Sequence, residues 1–139
     1  MYPFILILFG IIFATQNLVA QAPNPQPGGN ADETLARIEA AIRSGDAINL
    51  SNYFNQSIEV TTDEKDEVYS KNQAQFVIKD FFIKYPIKSF NILHKGNSNQ
   101  TYYAVGMYVS NRGSFDANLF LKKNGSSFLI DQIRFEKDK

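Results

Sequence analysis

"SKNQAQFVIKDFFIKYP", residues 70–86, is the stretch on which the fold turns. Ser70 followed three positions later by Gln73 makes a capping box, in which each side chain satisfies the other residue's backbone amide. Ala74, Val77, Ile78, Phe81, Phe82 and Tyr85 then recur at i, i+3, i+4, i+7, i+8 and i+11. The spacing predicts one long helix with a broad face to bury. Pro86 ends it, because its ring donates no hydrogen bond and restricts the residue before it.

After Pro86 the apolar period changes from helical to two, and the rest of the chain reads as four antiparallel strands joined by polar turns at "GNSNQ", "NRG" and "NG". Matching apolar faces sets the expected register. Val109 pairs with Phe115, Met107 with Ala117, Val105 with Leu119 and Tyr103 with Leu121, while Ile92 pairs with Val105, Phe90 with Met107 and His94 with Tyr103. For the last hairpin, an Asn124-Gly125 turn sends Phe128, Ile130, Gln132 and Arg134 to that face. A three-residue loop would send Leu129, Asp131, Ile133 and Phe135 there, and turn chemistry favours the first. The other face then carries Tyr102, Tyr108, Phe120 and Ile133, too apolar for a wholly solvated surface. A partner subunit is the expected cover.

Toward the N-terminus, Asn30 and Glu33 cap a helix with an apolar stripe of Leu35, Ile38, Ala41 and Ile42, stopped by Gly45. Asp46 caps a second, shorter helix carrying Ile48, Leu50 and the pair Tyr53, Phe54. "QSIEVTT" (56–62) alternates as a short strand. "TTDEKDE" (61–67) holds four carboxylates but neither the ligand spacing nor the glycine of a calcium loop, and reads as a solvated loop.

The composition breaks before Asp32, the first charged residue. "FILILFGIIFA" (4–14) is too short for a hydrocarbon core that needs about 20 apolar residues. With Ala20-Gln21-Ala22 as a small-x-small site, it reads as a signal peptide over 1–22, cleaved to leave a chain beginning near Pro23. The n-region "MYP" has no Lys or Arg, so an uncleaved anchor is the competing reading. "PNPQPGGN" (23–30) is a Pro/Gly linker, and residues 31–139 form one domain. An exported protein follows, periplasmic or secreted, with no stable membrane span once the signal is cleaved.

The chain has 139 residues, 14 basic against 14 acidic, one histidine and no cysteine. Balanced charge without a basic run argues against nucleic acid as a partner. Absence of cysteine removes disulfides, thiolate metal sites and a lipid acceptor. No metal site and no cofactor is expected. The residues placed for a pocket are His94 and Tyr103, with Gln132 and Arg134 beside them, and Tyr53 and Tyr69 at element ends. A histidine at a strand end donating to a carbonyl or to the Tyr103 hydroxyl is the simplest role for His94, and Gly106 relieves crowding under an opposing residue.

The order helix, helix, strand, long helix, four-stranded meander resembles the nuclear transport factor 2-like (cystatin-like) cone. This is an α+β fold with two short N-terminal helices and one long helix packed on a bent, mainly antiparallel sheet. The stretches "IEAAIRSGDAINLSNYF", "YSKNQAQFVIKDFF", "FNILHKG", "YYAVGMY", "RGSFDANLFLKK" and "FLIDQIRFE" look like a group of exported bacterial proteins within it, domain of unknown function 4783. The resemblance implies a fold and an address and brings no catalytic signature. Enzymes of the wider superfamily place Asp, His or Tyr inside the cone, and the expected register sets no carboxylate beside His94. The expected function is therefore a non-catalytic binding or scaffolding domain, dimeric through one sheet face and open to an envelope protein partner. A carrier of a small apolar ligand comes next, and an isomerase- or dehydratase-like enzyme last.

Overall fold

The computed structural model describes residues 30–138, so the expected signal peptide over 1–22 and all but the last residue of the expected linker lie outside the described residues. Three helices, α1 (Ala31–Arg43), α2 (Ala47–Ser51) and α3 (Lys71–Lys84), accompany six strands: β1 (Phe54–Thr62), β2 (Lys65–Ser70), β3 (Ile87–Ser98), β4 (Thr101–Ser110), β5 (Gly113–Asn124) and β6 (Ser127–Lys137). Each helix starts at the cap its sequence offers. The Asn30 side chain accepts the Glu33 amide, Asp46 accepts the Asn49 amide, and Ser70 and Gln73 close a reciprocal box. Gly45, at φ +63°, turns the chain from α1 into α2 in a conformation that glycine adopts without a Cβ clash. Helix α1 has 13 residues against 14 in α3, so only α2 is short.

The sheet runs β2-β1-β6-β5-β4-β3, with β1 parallel to β6 and every other pair antiparallel. Strand β2 replaces the expected loop. Asp63 and Glu64 both take positive φ, the backbone of a tight two-residue hairpin turn, and the Thr61 hydroxyl donates to Asp66 across it. The Tyr85 hydroxyl, at 2.9 Å from Asp63 Oδ1, ties that turn to the end of α3.

The expected register of β4 on β5 is wrong by one residue, because Asn111-Arg112 forms a two-residue turn and not a three-residue one. Tyr108 faces Phe115, Gly106 faces Ala117, Ala104 faces Leu119 and Tyr102 faces Leu121. In β3 the ladder shifts at Leu93, so His94 pairs with Val105 and Gly96, not His94, pairs with Tyr103. In β6 it shifts at Asp131, which puts Ile130 inside together with Ile133 and Phe135. The first half of one expected hairpin and the second half of the other are therefore both present.

These shifts decide what fills the cone. Phe81 stacks on Phe135 with ring centroids 4.4 Å apart, meets Phe115 edge-on at 5.1 Å and lies 5.3 Å from Tyr108. Phe82, Phe90 and Tyr53 complete a continuous core in which all of these rings are buried. Burial of each ring supplies about 1.5–3 kcal/mol of apolar transfer.

Candidate functional site

The one-residue slip turns β4 over relative to β5, and the shift at Asp131 turns over the second half of β6, so the roles expected of several candidate residues change. Tyr108 and Ile133, expected at an interface, are core residues with no exposed surface, and Tyr102 turns inward onto Phe128, ring centroids 5.0 Å apart. Burial pushes the Tyr108 hydroxyl up to about 12. It donates to the Tyr85 carbonyl at the end of α3, a partner that keeps a buried hydroxyl satisfied. Of the expected interface residues, Phe120 alone faces outward.

The outer face has two halves. On β4 and β5, Tyr103, Val105, Met107, Val109 and Phe120 are half-exposed, with Tyr103 directly opposite Phe120. On β1, β2 and β6 the same face is polar apart from Val68, an exposed side chain on β2. Gln132 Nε2 donates to Glu59 Oε1 at 3.0 Å, and Arg134 lies 2.7 Å from Glu136 and 4.0 Å from Asp66. Gln132 and Arg134 thus share a face with Tyr103 but are engaged elsewhere, Gln132 across to β1 and Arg134 chiefly along its own strand, outside any pocket with His94.

His94 and Tyr103 do meet, diagonally: the hydroxyl is 3.5 Å from His94 Nε2, at the long limit of a hydrogen bond. The Tyr103 ring lies over Gly96, where an added Cβ would stand 2.5 Å from the hydroxyl oxygen. Glycine is required there for the ring to reach the sheet margin. Tyr53 is buried, with Arg37 between it and Glu33, and hydrogen bonds from Arg37 to Glu33 and then Tyr53 hold its guanidinium above the usual range. Tyr69 sits at the opposite sheet edge, and its bond with Glu67 raises the phenol and lowers the carboxyl. The six pocket candidates therefore do not converge; His94 and Tyr103 form one pair.

The concave ground lies beside that pair, between α1 and the distal half of β3, with Tyr103 on the rim of one hollow and His94 on the rim of the next. One cavity of about 280 Å³ is lined by Ala31, Asp32, Leu35, Lys95, Tyr102 and Leu121 among others. A neighbouring hollow of about 350 Å³ shares Asp32, Leu35 and Lys95 and adds Ile92, Leu93 and His94. Sequence reasoning missed Asp32, Leu35 and Lys95 as site residues. The signal was hidden by the ladder shift at Leu93, which turns Lys95 onto the helix side of the sheet, where it pairs with Asp32 at 3.0 Å. The two carboxylates that line this hollow with His94 are both engaged, Asp32 by Lys95 and Glu39 by Arg43 at 2.6 Å. Among the described residues no cluster of His, Cys, Asp or Glu is placed to hold a metal ion, and no helix is long and apolar enough to cross a membrane.

A family model described as domain of unknown function (DUF4783) matches residues 35–136. The chain is similar to the crystal structure of a DUF4783 family protein from Bacteroides ovatus, with 28% identity and a TM-score of 0.72 over 75% of this chain and 94% of that one. It is similar also to one from Bacteroides uniformis, with 24% identity and a TM-score of 0.73 over 79% and 99% of the two chains. An NTF2-like protein of unknown function from Shewanella baltica shares the fold at 14% identity and a TM-score of 0.59, over 78% of this chain and 90% of that one. No curated protein matches the chain.

Proposed function

The chain belongs to the DUF4783 family, with an NTF2-like α+β fold, and from that premise we propose an exported, non-catalytic binding domain that associates with a second copy through its outer sheet face. One observation carries the proposal: the interior of the cone is filled by aromatic rings while an apolar stripe on β4, Tyr103, Val105, Met107 and Val109, points away from the core. Phe120 lies beside it on β5, where Asn118, Asp116 and Ser114 oppose the rest of the stripe. A second copy suits this face because its polar half carries both charge signs, Arg134 beside Glu136 and Asp66. A two-fold axis can then set the β4 stripe of one copy against that of the other and leave polar and charged groups at the rim, the arrangement of a self-complementary interface. The exported address rests on the apolar run 4–14 and the Ala20-Gln21-Ala22 site.

Native mass spectrometry of protein purified from its own host tests the reading. It predicts a dimer mass and an N-terminus near Pro23. A monomer at micromolar concentration, or a full-length mass including residues 1–22, counts against association or export respectively. The trough between α1 and β3 favours a second reading, a small-ligand carrier.

A further inference from the structure

The trough between α1 and β3 has chemistry specific enough to name a ligand class. Its two hollows, about 280 and 350 Å³, adjoin one another; the larger lies within the roughly 300–1,000 Å³ of small-molecule sites and the smaller falls just below it. They meet at Leu35 and at the ion pair of Lys95 with Asp32. On one side the lining is Tyr102 and Leu121; on the other it is Ile92, Ala36 and Leu93, the last a large apolar side chain 67% exposed to water. The trough is separate from the cone interior, which the Phe81 and Phe135 rings occupy.

We propose that this trough binds a single-chain anionic amphiphile, its apolar chain lying along Leu35 through both hollows and its acidic head held by Lys95. The Asp32–Lys95 pair is the latch. Its side chains are 71% and 57% exposed, and a pair so solvated contributes little to stability. When it parts, Asp32 returns to water in the first turn of α1, where the helix dipole favours its negative charge. Glu39 stays compensated by Arg43. The group left without a counter-charge is the Lys95 ammonium, so an anion completes the opened trough, with Asn97 and the Tyr103 hydroxyl at the same rim as further donors. Dodecanoate stands for this class: one carboxylate on one unbranched chain.

The inference rests on the carrier reading, and although Tyr103 borders both the trough and the outer face, its failure is distinguishable from failure of association because ligand binding and oligomer mass are separate readouts. Equilibrium dialysis of the protein against labelled dodecanoate, below its micelle-forming concentration, tests it. Wild type is expected to bind, with dodecanol competing at least about tenfold more weakly than unlabelled dodecanoate, because the charge-assisted contact is lost. Lys95→Gln is expected to weaken binding by about tenfold, whereas Asp32→Asn, which frees the ammonium, tightens it. Ala36→Trp fills the second hollow from an exposed helix position and abolishes binding. All three positions line the surface trough, so circular dichroism melts matching wild type confirm that the variants are folded. No binding to wild type, equal affinity of Lys95→Gln and Asp32→Asn, or dodecanol competing as well as dodecanoate overturns the proposal. Co-sedimentation with phosphatidylglycerol vesicles in place of dodecanoate binding overturns it too, since that would make a bilayer headgroup the source of the anion.

Discussion

Truncating Phe81 to alanine measures whether the cone is a filled core or a vessel. The Phe81 ring is 3% exposed and touches five other rings, from Phe135 at 4.4 Å to Phe82 at 6.3 Å. Its neighbours hang from α3, β4, β5 and β6, which are fixed by their own ladders, so the site cannot collapse around the void. Truncations of this kind cost about 3–5 kcal/mol, and lost ring pairings add about 0.5–1.5 kcal/mol each before any relaxation. We expect about 4 kcal/mol, a large part of the 5–15 kcal/mol that holds a typical domain together. For a domain of this size that lowers the melting temperature by roughly 15–25 °C. Urea and thermal melts followed by far-ultraviolet circular dichroism give the number. Phe76→Ala, on the same helix but 62% exposed, is the control and should stay within about 0.5 kcal/mol of wild type. A Phe81→Ala loss below about 1.5 kcal/mol would refute the reasoning, since in an open cone the removed ring gives up little packing.

Gly106→Ala tests the corrected register: a Cβ there would stand 2.7 Å from the Asn91 carbonyl oxygen and 3.0 Å from the Phe90 ring, so chemical denaturation should show a loss of about 1–3 kcal/mol. A change within error would mean that Gly106 faces open space. Tyr108→Phe tests the buried phenol through pH. The folded hydroxyl titrates at about 12 and an unfolded one at about 10. The unfolded chain therefore releases its proton first, and stability falls as pH rises through that window. Melts from pH 9 upward should fall less steeply for Tyr108→Phe than for wild type, and parallel curves would contradict the assignment.

Much of this architecture is legible in the chain because caps and helical stripes are local. Asn30, Asp46 and Ser70 each begin a helix where the sequence offers a side-chain acceptor, and Ala74, Ile78, Phe81 and Phe82 are the buried face of α3. Strand pairing was less legible, for a physical reason. Along β4 both faces are apolar, Tyr102, Ala104, Gly106 and Tyr108 on one and Tyr103, Val105, Met107 and Val109 on the other, so alternation does not arbitrate between them. What decides is volume: the small Ala104 and Gly106 go inside because the Phe90 ring already occupies the space above Gly106. The shifts at Leu93 and Asp131 carry no periodic signal, and they are what turn Lys95 toward Asp32 and bring Ile133 into the core. Strand β2 was hidden because its charged edge sequence, "KDEVYS", has the composition of a loop. The candidate site suffered most from this, since the slip of β4 on β5 moved Tyr108, and the shift at Asp131 moved Ile133, from interface to core while Phe120 stayed outside.

Association of two copies through the outer face is the central claim, and Phe120 is the place to test it. Sedimentation velocity of wild type and Phe120→Glu at micromolar concentration compares a half-exposed ring opposite Tyr103 with a charge that a desolvated interface cannot accommodate without a penalty of several kcal/mol. The account predicts a dimer for wild type and a folded monomer, with an unchanged circular dichroism spectrum, for the variant. A monomeric wild type, or a Phe120→Glu protein that still sediments as a dimer, would contradict it.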